Sequence, residues 1–173
     1  MNGAMKRALT ALSIFPFLLA TPATAQEPQL IETFGSWSAF VGAEAGKKIC
    51  YMGSVPKKEK GKYERRGDTF TLVTHRPAEK RFDVVSVEAG YNFKEGSEMM
   101  VFIGGQDYSL FTRGAGAWAR DTKADRALVG AMSRGLEMVV KGTSMRANLT
   151  EDIYSLSGFS AAHAAIAKAC GVK

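Results

Sequence analysis

The sequence predicts a mainly β protein: an antiparallel, β-sandwich-like single domain with one short internal helix and a C-terminal helix stapled by a disulfide. Short β-type segments, separated by glycine-rich or charged turns, run from residue 31 to residue 155. Several of these segments are apolar on both faces, which favours strands that lie between packed layers. Two further segments repeat their apolar residues at helical spacing.

The first 25 residues have the features of a secretory signal peptide. Lys6 and Arg7 form a basic start, residues 8–20 are mainly apolar, and Ala23-Thr24-Ala25 fits a small-x-small cleavage site. The apolar stretch is too short to span a bilayer, so we expect cleavage and a mature domain of residues 26–173. No later segment approaches 18 consecutive apolar residues. We therefore expect an exported protein that does not span the membrane.

Eight segments are predicted as strands. In the segment 82–89, Phe82 and Val84 point to one face while Val85 and Val87 point to the other. The pair Gly104-Gly105 is typical of a tight turn between two strands. The predicted strands are residues 37–41, 48–52, 69–75, 82–89, 98–103, 108–112, 137–143 and 152–156.

Two segments are predicted as helices. Residues 121–134 begin with a sequence similar to a capping box, continue with apolar residues at helical spacing, and precede Gly135. Residues 157–170 place Phe159, Ala162, Ile166 and Cys170 along one face. Cys170 therefore lies on the apolar stripe of the last helix.

The two cysteines, Cys50 and Cys170, predict one disulfide. An even count in an exported chain favours a structural bridge. A metal or redox pair is the alternative, but the chain has no Cys-x-x-Cys motif and only two histidines. Closing a loop of this length stabilises a fold by roughly 4 to 5 kcal/mol in the chain-entropy view.

Positive charge is concentrated in residues 56–67. Residues 26–173 carry 21 basic and 17 acidic side chains, and this run alone supplies the excess. A cationic loop could contact phosphates of an envelope component weakly and in a salt-dependent way, or it could be a solvated connection. Tyr63 is its only aromatic residue, so we expect no specific nucleic-acid binding. The candidate anion- or partner-binding residues are Lys57, Lys58, Lys60, Lys62, Arg65 and Arg66.

No catalytic constellation is present in the sequence. The segment 158–162 resembles a nucleophile elbow but lacks its final glycine, and no Asp and His follow it in hydrolase order. Ser160 and His163 lie one helical turn apart without a third group to orient them. His163 and His75 fit surface or packing positions, and two histidines alone make a poor zinc site. We expect no enzyme, no metal and no cofactor.

The assembled motifs resemble a known family. They cover nearly all of the mature chain and are TFGSW (33–37), KKICY (47–51), AWARD (117–121), MVVKGTS (138–144) and YSLSGFSAA (154–162), followed by KAC (168–170). Together they resemble the invasion-associated locus B family of alphaproteobacteria. The resemblance implies a mostly β protein of the periplasm, outer membrane or cell surface, in a family associated with host-cell invasion by pathogens. It also supports the pairing of Cys50 with Cys170.

The resemblance implies no catalytic residue. It highlights a candidate interaction loop with Lys141, Thr143, Ser144 and Arg146, although the same stretch fits a strand that runs into a turn. We therefore expect a non-enzymatic exported protein that binds a protein or an envelope component through exposed loops. The alternatives are a small envelope hydrolase and an envelope assembly chaperone.

Overall fold

A computed structural model describes residues 27–63 and 65–172. The predicted signal peptide, residues 1–25, lies outside the described residues. Within them the chain forms a short 3-10 helix, Pro77–Glu79, and two α-helices, α1 (Thr122–Arg134) and α2 (Phe159–Cys170). The strands are β1 (Gln29–Phe34), β2 (Trp37–Glu44), β3 (Lys47–Ser54), β4 (Lys58–Gly61), β5 (Phe70–Arg76), β6 (Arg81–Glu88), β7 (Glu98–Ile103), β8 (Gln106–Arg113), β9 (Gly116–Trp118), β10 (Glu137–Thr143) and β11 (Leu149–Ser155).

All eleven strands belong to one antiparallel sheet. Its order is β1-β2-β3-β5-β6-β9-β8-β7-β10-β11-β4, so β1 and β4 form the two edges. The indole N–H of Trp37, at the start of β2, donates to the carbonyl of Ser155, at the end of β11, over 3.0 Å. These strands are eight positions apart in the sheet, so the sheet curves back and packs its ends together. The predicted antiparallel β fold is confirmed, and its layers come from one curved sheet.

Both predicted helices are confirmed almost residue for residue. The side chain of Asp121 caps α1 by accepting a hydrogen bond from the amide of Ala124 at 2.8 Å. Helix α2 buries Phe159, Ala162 and Ile166, the stripe that its apolar spacing predicted. None of the helices among the described residues has the length and apolar character needed to cross a bilayer.

The disulfide joins the last helix to the early part of the sheet. Cys50 on β3 is bonded to Cys170 at the end of α2, with the two Cα atoms 5.9 Å apart. At the other end of the helix, the rings of Phe159 and Trp37 meet edge to face with centroids 4.9 Å apart. Helix α2 is therefore fixed at both ends, covalently at one and by aromatic packing at the other.

Three strands were not predicted from the sequence: β1, β4 and β9. The most consequential is β4, because it lies inside the charged run that the sequence suggests is a flexible loop. Residues 58–61 pair with β11 in the register Lys58 to Ile153 and Gly61 to Thr150. The pairing brings the end of β4 to the start of β11, which determines where the following residues lie.

Candidate functional site

A cleft of about 860 Å³ lies where three connecting segments meet. The segment after β4 and the turn between β10 and β11 form two walls, because the pairing of β4 with β11 places them side by side. The residues that follow β6 complete the cleft. Its lining includes Lys62, Tyr63, Arg65, Tyr91, Ser144 and Arg146. The two loops singled out in the sequence therefore contribute to a single site.

Arg66 anchors the first wall from below. Its side chain is 4% exposed and makes a bidentate ion pair with Asp152 of β11, whose side chain is 1% exposed. In this pair Nη1 donates to Oδ1 over 2.6 Å. Its Nε donates to the carbonyl of Ala89 over 2.7 Å. The guanidinium also lies 5.1 Å from the ring centre of Tyr63 and 5.3 Å from that of Tyr91.

The structure corrects the interpretation of Arg66 as an exposed, ligand-contacting cation. Burial alone would lower the pKa of Arg66, but hydrogen bonds with Asp152 and Tyr63 raise it above its ordinary value. The guanidinium is permanently charged and already neutralised by Asp152. It therefore positions the segment that carries Arg65 and leaves ligand contact to its neighbours.

The other cations of the run divide between two places. Lys62 and Arg65 are exposed and line the cleft. Lys60 projects from β4 and its Nζ lies 2.6 Å from Glu151. Lys57 and Lys58 are exposed along the sheet edge, away from the cleft lining. Only part of the predicted cationic surface therefore faces one cavity.

The residues of the second predicted loop also lie in two places. Lys141 lies within β10, with its Nζ 3.0 Å from Glu151, and Thr143 ends the strand. Ser144 and Arg146 lie in the turn that lines the cleft. The Ser144 hydroxyl accepts a hydrogen bond from the amide of Asn148 at 3.1 Å, which closes the turn. The strand-and-turn interpretation of this stretch is therefore the one observed.

At two positions at the back of the cleft, a neighbouring atom lies so close to the backbone that only glycine fits. A Cβ at Gly142, in the KGTS motif, would lie 2.6 Å from the hydroxyl of Tyr91. A Cβ at Gly90, where φ is +70°, would lie 2.4 Å from the carbonyl oxygen of Gly67. The Gly67 amide also donates to the Gly90 carbonyl over 2.8 Å. The first wall is thus held against the segment after β6 by backbone contact.

Tyr91 forms the floor between the walls. Its hydroxyl and that of Thr150 are 2.6 Å apart, and its ring packs edge to face against Phe93 at 5.2 Å. Burial raises the pKa of Tyr91 above its ordinary value. The side chain is therefore a neutral phenol at physiological pH.

The electrostatics of the cleft favour an anionic ligand. Lys62, Arg65 and Arg146 surround it, and none of the lining residues that the structure describes is acidic. The exposed side chains of Met145 and Leu149 lie on or beside the turn and add apolar surface. The arrangement can hold a phosphate or carboxylate next to an aromatic floor and an apolar rim.

Two residues considered for catalysis have other partners. The hydroxyl of Ser160 donates to the carbonyl of Ser133 over 3.1 Å, which joins α2 to the end of α1. The Nε2 atom of His163 lies 2.7 Å from the Asp83 carboxylate. His75 is wholly buried on the same side of Asp83, so the structure brings together two histidines that the sequence suggests are unrelated. Because the two histidines are far apart in the sequence, no sequence pattern indicates that they lie close together.

The chain is similar to proteins of one family. The family whose description reads "Invasion associated locus B (IalB) protein" matches residues 37–167. No curated protein matches the chain. Among solved structures, the crystal structure of invasion associated protein b from Bartonella henselae is similar, with a TM-score of 0.54, 18% sequence identity, and coverage of 80% of this chain and 95% of that chain. At this identity the structural likeness shows a shared fold. The family match extends over most of the chain and confirms the resemblance of the motifs: the chain belongs to the invasion associated locus B family.

Proposed function

We propose that the protein is a non-enzymatic exported protein that binds a phosphate-bearing component of the cell envelope in the cleft. The observation that carries the proposal is the convergence of Lys62, Arg65 and Arg146 around one cavity with a tyrosine floor. These cations come from two loops that are distant in the sequence. Their placement around one cavity favours the recognition of one anionic group over diffuse attraction by net charge.

The support below the cleft favours a built binding site. The Arg66–Asp152 pair and the Gly67–Gly90 contact fix the backbone immediately after Arg65 before any ligand arrives. A site that is ordered in advance loses less conformational entropy on binding. The exposed Met145 and Leu149 add an apolar contact suited to the acyl or sugar-ring surface beside a lipid phosphate.

Export is part of the proposal. A disulfide that bridges a strand and the last helix is typical of proteins that fold in an oxidising compartment, and it supports a periplasmic or surface location. Cell fractionation with N-terminal sequencing tests this directly, and we expect the mature chain to begin at Gln26. The family name refers to invasion, and envelope binding is the molecular activity that we assign within that setting.

Binding is tested with vesicles that contain lipopolysaccharide, compared with vesicles of neutral phosphatidylcholine. The cleft variant carries Lys62→Gln, Arg65→Gln and Arg146→Gln. Three lost contacts of about 1 kcal/mol each predict an affinity about 100-fold lower. The salt dependence of binding should also become shallower.

A matched variant separates the cleft from net charge. Lys57→Gln, Lys58→Gln and Lys123→Gln remove the same charge from exposed positions outside the cleft. We expect this variant to bind nearly as well as the parent. Equal losses in the two variants would contradict a cleft-specific function.

The absence of catalysis is tested with serine-directed covalent probes on the folded protein. We expect no labelling of Ser144 or Ser160, because their hydroxyl groups serve as local structural contacts. Stoichiometric labelling of either serine would contradict the non-enzymatic part of the proposal and favour an envelope hydrolase.

A further inference from the structure

The only two histidines of the chain meet at one carboxylate. His75 lies on β5, His163 on α2 and Asp83 on β6. The Oδ1 atom of Asp83 lies 2.7 Å from Nε2 of His163 and 3.9 Å from Nδ1 of His75. One ring nitrogen of each histidine and a carboxylate oxygen of Asp83 all lie within 4.8 Å of one another.

The strand that carries Asp83 is irregular at this point. The pairing of β5 with β6 shifts register between Thr74 and Arg76, so the ladder is interrupted beside His75. Asp83 has a φ of +60°, a left-handed conformation that is uncommon outside glycine. Irregularities of this kind redirect a side chain and are frequent next to functional sites.

The disulfide holds α2, the helix that carries His163, against the sheet. Cys50 is directly opposite His75 in the pairing of β3 with β5, and its disulfide partner Cys170 ends the helix that carries His163. The disulfide therefore fastens α2 onto the strand beside His75. The three side chains converge from a rigid framework, as a preorganised site requires.

The donor set suits a divalent transition-metal ion. Two imidazoles and one carboxylate are the donors found in zinc sites with three protein ligands, whereas magnesium and calcium prefer oxygen donors alone. Bonds of about 2.0 to 2.1 Å in tetrahedral geometry separate the donor atoms by about 3.3 Å. The observed separations from Asp83, 2.7 and 3.9 Å, lie on either side of that value, and all three donor atoms lie within 4.8 Å of one another, so coordination requires the side chains to adjust around the ion.

The hydrogen bonding of His75 leaves its ring incompletely satisfied. Its Nδ1 atom accepts a hydrogen bond from the Asp83 amide over 3.1 Å, a contact that coordination through Nδ1 would replace. Its Nε2 atom is buried and has no hydrogen-bond partner within residues 27–63 and 65–172. Because Nδ1 accepts this bond, the ring proton lies on Nε2, and the Nδ1 lone pair beside Asp83 is the one available to a metal ion.

We propose that His75, Asp83 and His163 form a binding site for a divalent transition-metal ion of the Zn²⁺ class. Asp83 and His163 are 21% and 26% exposed, so an ion can enter from solvent. Three protein ligands leave one coordination position for water on that exposed side. This site is separate from the cleft, so it is independent of the proposed function.

The test is a Zn²⁺ titration of the metal-free, oxidised protein without a histidine tag, in competition with a chromophoric chelator. Both cysteines lie in the disulfide and both histidines lie in the cluster, so no other thiol or imidazole of the chain competes. We expect one bound ion per chain. With Co²⁺, we expect a visible absorption spectrum of a four- or five-coordinate N/O site.

The variants Asp83→Asn and His163→Gln should each weaken Zn²⁺ binding at least about tenfold. Asparagine tolerates the left-handed backbone at position 83, so the first variant keeps the fold. The matched control Glu79→Gln removes an exposed carboxylate from the connection between β5 and β6 and should bind like the parent. No stoichiometric binding to the parent, or parent-like binding by Asp83→Asn and His163→Gln, would overturn the proposal.

Discussion

Reducing the disulfide between Cys50 and Cys170 should lower the free energy of unfolding by about 5 kcal/mol at 25 °C. The two residues are 120 positions apart, so the bridge closes a loop that includes almost the whole folded domain. The chain-entropy relation assigns about 16 cal/mol/K to a loop of this length, or about 5 kcal/mol at 25 °C. Domains of this size have total stabilities of about 5 to 15 kcal/mol. The reduced protein should therefore be close to the limit of stable folding.

Urea denaturation of the oxidised and reduced protein measures the effect. Trp37 is fully buried and packs against Phe159 of α2, so its fluorescence reports the docking of the helix that the disulfide holds. With a slope of about 2 kcal/mol per M urea, the midpoint should fall by about 2.5 M on reduction. The double variant Cys50→Ala, Cys170→Ala serves as the control, because a reducing agent should not change its midpoint.

Unfolding midpoints of the oxidised and reduced proteins within about 0.5 M of each other would contradict a stabilisation of this size, because that difference is only about 1 kcal/mol. In that case the packing of α2 against the sheet would be sufficient, and the reduced denatured state would already be as restricted as the bridged one. A large effect confined to the unfolding rate would also count against an origin in the unfolded chain.

Three further predictions concern single positions. Asp152→Ala leaves Arg66 buried without its partner and should cost about 3 to 5 kcal/mol in urea denaturation, whereas Arg66→Met with Asp152→Leu should recover most of that loss. Burial raises the pKa of Asp125 above its ordinary value of 3.8, so the ionised form of this side chain destabilises the fold. The variant Asp125→Asn should therefore be more stable than the parent at pH 7. This gain in unfolding free energy should disappear as the pH falls to 3.8. Gly158→Ala should abolish cooperative thermal unfolding, because φ is +88° and the new Cβ would lie 1.8 Å from the carbonyl oxygen of Phe34; native-like melting would contradict this contact.

The strands that the sequence predicts are those whose apolar pattern is local. β7 and β10 were predicted with the bounds that the structure shows, because each contains a short apolar run between turn signals. β4 contains lysines, a glutamate and a glycine and has no such pattern. Its conformation is set by backbone pairing with β11, a long-range contact that local propensity does not encode.

The candidate site was likewise predicted only where its features are local in the sequence. The sequence marked both loops by charge and by motif, but their meeting depends on the pairing of β4 with β11. Arg66 was indistinguishable from Arg65 in the sequence, although one is buried against Asp152 and the other is exposed. His75 and His163 could not be associated for the same reason, because the packing of α2 on β3 and β5 and the disulfide bring them together.

The cleft exists only in the folded chain, because three separate segments build it around the pairing of β4 with β11. A molecule that occupies it binds the native state alone, and mass action then adds its binding free energy to the stability of the protein. At one hundred times its dissociation constant, such a molecule adds about 2.7 kcal/mol. For a domain of this size that corresponds to a rise in melting temperature of about 5 to 10 °C. Thermal shifts across a panel of anionic envelope molecules should therefore rank them as ligands.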